Sequence, residues 1–382
     1  MHTMLSFEEL FSLDMINTCA YECTRQSRWK ETTQRYLSNL LLNNIELRDE
    51  VLSGNYKVRP TVDFTLNERG HIRQIEAPVV RDRIVQKTIT NNILIPLLRP
   101  CLIYDNFASL EMRGTSFARK RFDIMLRRYF VKNRTDGYAL LIDVRKYFNS
   151  IDHEVLKQLI APKIKDLEPR TVDLIHYIID TSSKTGVGLN LGSEAPQIFA
   201  VYYLNPVDQF AKVVKGCKYY GRYMDDIFVL GKTKSELQAL LSEIKEVLSK
   251  LKLEVNTKKT HIVKLSHGFT YLQVKYNILP SGKIIKRASH DKIVRERRRL
   301  KAFKRMLNDG KMTELEIYNC YQSWRGTFIR EHNAIKKTLD NMDKLYLDLF
   351  GKHEESKEKE SRSQLVKQIF KDAETRDIRN VF

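Results

Sequence analysis

No run of 18 apolar residues occurs in the sequence, and the N-terminus lacks a basic stretch leading into a sustained apolar one, so neither a membrane span nor a secretory leader is expected. Cysteine is scarce. Cys19, Cys23, Cys101, Cys217 and Cys320 are odd in number and scattered, with neither zinc-ligand spacing nor a disulfide framework, which points to a reducing, cytoplasmic setting. Internal repeats, nuclease motifs and zinc-finger motifs are absent as well. Acidic residues are in short supply, 47 against 66 basic ones, and the resulting charge of +19 implies a polyanionic partner. The 18 Tyr and 17 Phe give surfaces on which bases could stack. With 382 residues, 42% of them apolar, the chain has material for an ample core and two or three subdomains.

Against that background one stretch stands out, Tyr220-Gly221-Arg222-Tyr223-Met224-Asp225-Asp226-Ile227-Phe228-Val229-Leu230, with two adjacent carboxylates between β-forming flanks. As a tight hairpin it puts the acid pair at the turn, where neighbouring side chains need not point to opposite faces as they would in mid-strand. An Asp-Asp pair ordinarily marks a solvated turn. Here the apolar flanks bury the hairpin, and two unpaired carboxylates there would be costly unless a cation sat beside them. A third acid stands in a similar setting upstream, in Ala139-Leu140-Leu141-Ile142-Asp143-Val144, a run that reads as a buried strand with Asp143 near its C-terminal end. Three acids converging at one end of a sheet are what two-metal phosphoryl transfer needs, with oxygen ligands for two Mg²⁺ roughly 3.5 to 4 Å apart.

Asp143 with the aromatic Phe148 after it, followed downstream by Tyr223-Met224-Asp225-Asp226, resembles the palm of a reverse transcriptase, and the likeness runs in order over residues 45 to 340. The resemblance implies an α+β fold: a right-hand polymerase with palm and fingers on antiparallel sheet and a helical thumb. The expected divisions are an N-terminal helical extension (1–53), fingers (54–136, with 154–185 shared between fingers and palm), palm (137–280), helical thumb (281–350), and a charged linker and tail (351–382). It further implies two Mg²⁺ ions, or Mn²⁺ in their place, held by Asp143, Asp225 and Asp226 with the main chain at Val144.

Taken in order, residues 5 to 53 read as two or three amphipathic helices with Leu37, Leu41, Leu42, Ile45 and Leu52 on a packing face. The segment His71 to Gln86 resembles the bacterial fingers, so Arg73 is expected to grip a triphosphate; Arg81 and Arg83 could do the same or form an ion-pair cluster with Asp82. Residues 84–99 read as a helix. In the loop that follows, Leu110 replaces the family's usual Arg, with Arg113 either compensating or serving the loop's structure. The main-chain N–H groups of Val144, Arg145, Lys146 and Tyr147 are expected to be free for triphosphate oxygens, and Phe148 matches the aromatic that excludes a ribose 2′-hydroxyl. Asp152 reads as a helix cap. Gly192 and Gln197 match the template-positioning element, although Leu191 stands where most relatives have Gln and Pro196-Gln197 where they have Ser-Pro. That pattern is reminiscent of the error-prone enzymes of diversity-generating retroelements.

Lys259 is expected as the general acid for the pyrophosphate, with Lys258 as substitute or a solvated turn as the alternative, and Gly268 to Val274 as a primer-gripping strand. Residues 283–305 carry the densest positive charge, read as helical, and with the stretch 313–348 they resemble a thumb whose Arg287, Arg295, Arg298, Trp324 and Arg325 would contact nucleic acid. The expected function is an RNA-directed DNA polymerase working with a structured RNA template or noncoding RNA, a primer and DNA product, dNTPs, and either a small helical accessory protein or a second copy of itself. A diversity-generating retroelement enzyme is the first reading. An antiphage defence polymerase, an intron maturase and a non-catalytic RNA-binding scaffold are the alternatives.

Overall fold

The computed structural model describes residues 5–68, 71–190, 192–333 and 335–351. They form two compact units that divide after Leu265. The first opens with four helices, Phe7–Leu10, Leu13–Thr24, Glu31–Ser38 and Leu40–Leu52, the first of them held by a reciprocal capping box between Ser6 and Glu9. The expected packing face of the fourth is corrected. Leu41, Leu42 and Ile45 are exposed, whereas Asn44, Leu47 and Val51 turn inward, because Asn44 is tied to Tyr36 and Asn17 by side-chain hydrogen bonds of 2.7 Å.

Strands β1 (Val62–Glu68) and β2 (His71–Ala77) pair as a separate antiparallel ribbon. The run expected as one helix over 84–99 begins earlier and is irregular: Val80–Ile89 is α-helical, Thr90–Leu94 is π-helical, and Ile95–Leu98 returns to α. Pro96 accounts for the break, since it lacks an N–H and its ring crowds the carbonyl four residues back.

The central sheet has the order β4-β5-β3-β6, all neighbours antiparallel, with β3 spanning Tyr138–Asp143, β4 Tyr220–Tyr223, β5 Asp226–Gly231 and β6 His261–Lys264. Burial of Ile227, Phe228, Val229 and Leu230 contributes about 2 kcal/mol each. One face of the sheet packs on Phe107 and Phe122, whose rings meet Phe228 at 6.5 and 4.6 Å. Gly221 permits that approach, since a Cβ there would lie 2.7 Å from both Phe107 and Phe228. The helices Glu194–Tyr203, Asn205–Gln209 and Lys234–Lys250 bury apolar side chains in the same core as Leu140, Ile142, Ile227 and Val229.

Among its described residues the second unit holds a three-stranded antiparallel sheet, β7 (Phe269–Tyr271), β8 (Val274–Ile278) and β9 (Ile284–Ala288), and three α-helices. Two expectations change here. The single strand expected at Gly268–Val274 is the hairpin β7–β8, turning at Leu272 and Gln273, both at positive φ. Lys286 and Arg287 stand on β9, and the helix of this basic region begins only at His290. That helix, His290–Asn308, shares a small core of Leu300, Ile317, Tyr321, Met342 and Tyr346 with Glu314–Glu331 and Lys336–Phe350. The mixture of helices with antiparallel sheets is the expected α+β class.

Candidate active site

The hairpin β4–β5 closes on the pair Tyr223 and Asp226, leaving Met224 and Asp225 as its two-residue turn. Met224 sits at φ +51°, a left-handed conformation that costs a non-glycine residue about 1–2 kcal/mol. On the next strand Asp143, the last residue of β3, stands directly opposite Asp226. Residues so paired share a face of the sheet with Cβ atoms roughly 5 Å apart, and two like charges there repel. The three acids therefore gather at one sheet end, as their spacing in the sequence led us to expect.

Electrostatics record the crowding. Burial first, then the charges of Asp225 and Asp143, push the Asp226 carboxyl up to about 7. Asp143 is buried, and its Oδ2 lies 3.0 Å from Lys259 Nζ, a contact that raises the Lys259 ammonium above the ordinary lysine value. Asn256 shapes the loop that delivers this lysine. Its N–H donates to the Asp143 carbonyl at 2.7 Å, and its own carbonyl accepts from the N–H groups of Lys259 and Thr260. Of the two adjacent lysines, Lys259 is thus the one beside Asp143.

Among the described residues, no three His, Cys, Asp or Glu side chains are gathered closely enough to hold a metal as they stand. The donor chemistry nonetheless fits a hard divalent cation: the acids are oxygen donors only, and their mutual repulsion is what a cation would relieve. Val144 lies beside them, buried and bridged to Val255.

The turn after β3 brings further expected residues close in sequence to the acids. Lys146 is left-handed at φ +45°, and Tyr147–Ser150 make a single 3₁₀ turn. Phe148 is half-buried, its ring edge-on to Tyr147 at 5.7 Å. The expectation of a free Arg145 N–H is corrected, because it donates to the Glu254 carbonyl at 2.9 Å while the guanidinium pairs with the Glu254 carboxylate at 3.2 Å. Gly192 and Gln197 are exposed, and Gln197 Oε1 accepts from Ser109 at 3.1 Å. Asp152 caps the helix His153–Ile164 as expected, accepting from the Val155 N–H at 3.0 Å.

The fingers-like arginines divide. Arg81 is buried and bidentate on Glu50, and Asp82 is bound by Tyr56 and by the Arg59 N–H, so the ion-pair alternative is what the geometry holds. Arg83 is half-buried beside a cavity of about 700 Å³ also lined by Tyr36, Phe64, Pro78 and Gly192. Arg73 pairs with Leu66 across β1–β2, and its side chain lies outside the described residues, as do Leu191 and the tail 352–382. Arg113 serves the loop, donating to the Tyr104 and Asn106 carbonyls. In the second unit Arg287, Arg295 and Arg298 are exposed, but Arg325 is tied to Asp343 at 3.0 Å and Trp324 stacks between Tyr321 and Phe328.

Sequence reading missed one pair. Arg222 and Asp208 are fully buried behind the acidic turn, with nitrogen to oxygen at 2.6 Å. Breaking such a pair by removing one partner costs about 3–5 kcal/mol. Its only trace in the sequence is an arginine in an otherwise uncharged strand and an aspartate in the five-residue helix Asn205–Gln209.

A sheet end that gathers three carboxylates beside a lysine, in an α+β fold, is an arrangement suited to nucleotidyl transfer. Residues 63–276, more than half of the chain, match the family model described as "Reverse transcriptase (RNA-dependent DNA polymerase)", and the chain belongs to that family. Similar solved structures include apo telomerase from Candida tropicalis truncated from its C-terminal domain, at 15% identity and a TM-score of 0.46, covering 63% of this chain and 59% of that one. Telomerase from Candida albicans with a fragment of telomeric RNA matches at 11% identity and a TM-score of 0.46, covering 60% of this chain and 46% of the other. The chain thus spans about half the length of the telomerase chains it matches. No curated protein matches it.

Proposed function

We propose that this chain is an RNA-directed DNA polymerase that adds dNTPs to a primer 3′ end. The observation that carries the reading is the direct pairing of Asp143 with Asp226, with Asp225 in the adjoining turn and Lys259 on Asp143. Asp143, Asp225, Asp226 and the Val144 main chain would hold the divalent ions, Mg²⁺ or Mn²⁺. Such ions, when bound, activate the attacking hydroxyl and stabilise the leaving oxygen. Lys259 hands a proton to the departing pyrophosphate. Phe148 discriminates against the ribose 2′-hydroxyl, Arg73 and the turn from Lys146 to Tyr147 bind triphosphate, and Gly192 and Gln197 face the nascent base pair. The cavity beside Arg83, with aromatic walls and a basic rim, suits unpaired template RNA. Within this reading 54–136 act as fingers, 137–280 as palm and 281–350 as thumb.

The test is primer extension on an RNA template. Asp225→Ala should lower the rate by at least about a thousandfold while RNA binding persists, a loss on the scale of removing a key electrostatic group. Extension at the normal rate by that variant refutes the assignment.

We place the enzyme with the error-prone retroelement branch, on the strength of Leu191 before Gly192, Gln197 closing that motif, and the spacing from Ser323-Trp324-Arg325-Gly326 to His332-Asn333. A structured RNA, with a small helical accessory protein or a second copy of the chain, would be its partner in a cytoplasmic setting, to which five free thiols are suited. Sequencing of cDNA should show misincorporation concentrated at template adenines. An ordinary error spectrum, with synthesis dependent on one dedicated noncoding RNA, points instead to the antiphage reading.

A further inference from the structure

Among the described residues Arg222 is the largest fully buried side chain, and its donors are spent on three different parts of the fold. Nε and Nη2 grip both oxygens of Asp208, at 2.8 and 2.6 Å. Nη2 also donates to the Val201 carbonyl at 2.8 Å, and Nη1 donates to the Met224 carbonyl at 3.0 Å. Asp208 is held in turn by the Tyr220 hydroxyl at 2.6 Å. Met224 is the left-handed residue immediately before Asp225. Its peptide carbonyl is therefore the handle by which the buried guanidinium orients the turn that carries the carboxylate.

The anchor at the far end is a helix terminus. Val201 and Ala200 lie in the last turn of Glu194–Tyr203, where carbonyls have no partner within the helix and a cation is favoured. Arg222 takes the Val201 carbonyl, and the Tyr147 hydroxyl takes that of Ala200. The turn bearing Asp225 and the turn bearing Tyr147 and Phe148 thus hang on consecutive carbonyls of one helix. Main-chain bonds fix Arg222 from its other side, its N–H donating to the Asp105 carbonyl and its own carbonyl accepting from Phe107.

We propose that Arg222, clamped by Asp208 and Tyr220, is a positioning residue: it sets the Met224–Asp225 turn so that the Asp225 carboxylate meets its divalent cation in register with the nucleotide-side turn at Tyr147. This rests on the polymerase reading above. The planar fork is essential to it, since a lysine ammonium cannot span Asp208, Val201 and Met224 at once.

Two variants test the assignment. The triple change Arg222→Met, Asp208→Leu, Tyr220→Phe replaces the buried polar cluster by apolar groups, a kind of exchange that preserves folding in other buried ion pairs. Arg222→Lys keeps the charge beside Asp208. Each should retain the wild-type circular dichroism and RNA–DNA duplex affinity, yet need about tenfold more Mg²⁺ for half-maximal primer extension and show a kcat lower by about tenfold or more, with the dNTP KM within about twofold, the scale of losing an outer support of a metal ligand. Arg170→Met, which removes an arginine bonded to Glu8 and to the Leu52 carbonyl, serves as the purely structural comparison and should lower Tm without moving the Mg²⁺ midpoint. If a folded variant of Arg222 shows the wild-type Mg²⁺ midpoint and kcat, or if its midpoint moves no more than that of Arg170→Met, the positioning role is overturned. Should the triple variant fail to fold, Arg222→Lys alone decides by the same two readouts. Failure of the underlying reading looks different: wild type would not extend a primer, or Asp225→Ala would.

Discussion

The Asp226 carboxyl, pushed up to about 7 by burial and by Asp225 and Asp143, takes up a proton more readily in the folded chain than in the unfolded one. Its contribution to metal-free stability is full below the ordinary carboxylate value and is lost as the pH rises through about 7. Asp226→Asn removes that loss. In chelator at pH 8 the variant should be more stable than wild type by on the order of 4 kcal/mol, and the difference should vanish toward pH 4. Thermal melts at the two pH values check this, and Mg²⁺ should raise the Tm of wild type more than that of the variant. A variant no more stable than wild type at pH 8 would show that the acids are not held in mutual repulsion. The acids were legible because each sits in a short apolar run, where a carboxylate needs a reason to stay. Arg222 and Asp208 were not: their pairing joins a strand to a helix across a sharp change of direction, and nothing in local spacing reports it.

The hairpin β4–β5 was readable as an element from its apolar flanks. The turn between β7 and β8 was not, because Leu272 and Gln273 are neither glycine nor asparagine, and only tertiary packing imposes positive φ on such residues. The inward face of Leu40–Leu52 was misread for a related reason, since hydrogen bonding of Asn44 outweighs the leucines in choosing which side turns in. Close packing at the hairpin yields a prediction at this scale. A Cβ on Gly221 would sit 2.7 Å from the Phe107 and Phe228 rings, so Gly221→Ala must push β4 away from the aromatic face or force those rings off their rotamers. The expected loss is about 1–3 kcal/mol, read by urea denaturation. Because the displaced strand leads directly into Met224 and Asp225, kcat should fall as well. The comparable Gly216→Ala, a change with open space around it, should do neither beyond the modest strain of its φ of +60°.

At the scale of the whole molecule, the charge of +19 sets how the chain meets a polyanion, and the structure separates arginines that can reach phosphate from those already spent. Arg295 and Arg298 are exposed on His290–Asn308, whereas Arg325 is bound to Asp343, which also accepts from the Tyr321 hydroxyl. Sequence placed all three together as nucleic-acid contacts, since composition shows charge but not its partner. Each phosphate neutralised by a cationic side chain releases counterions, so log affinity falls with log salt by about 0.7 to 0.9 per contact. Replacing Arg295 and Arg298 together by alanine should therefore flatten the salt dependence of RNA–DNA duplex binding by about 1.5, with little change in Tm. Arg325→Ala should do the reverse: it strands the Asp343 carboxylate and the Tyr321 hydroxyl bonded to it at 2.6 Å, lowering Tm while leaving the salt slope as it was. Fluorescence anisotropy across a salt series, run beside thermal melts, measures both quantities on each variant. An unchanged slope in the double variant would mean that the basic helix is a solvated face, and that the phosphate contacts lie elsewhere on the chain.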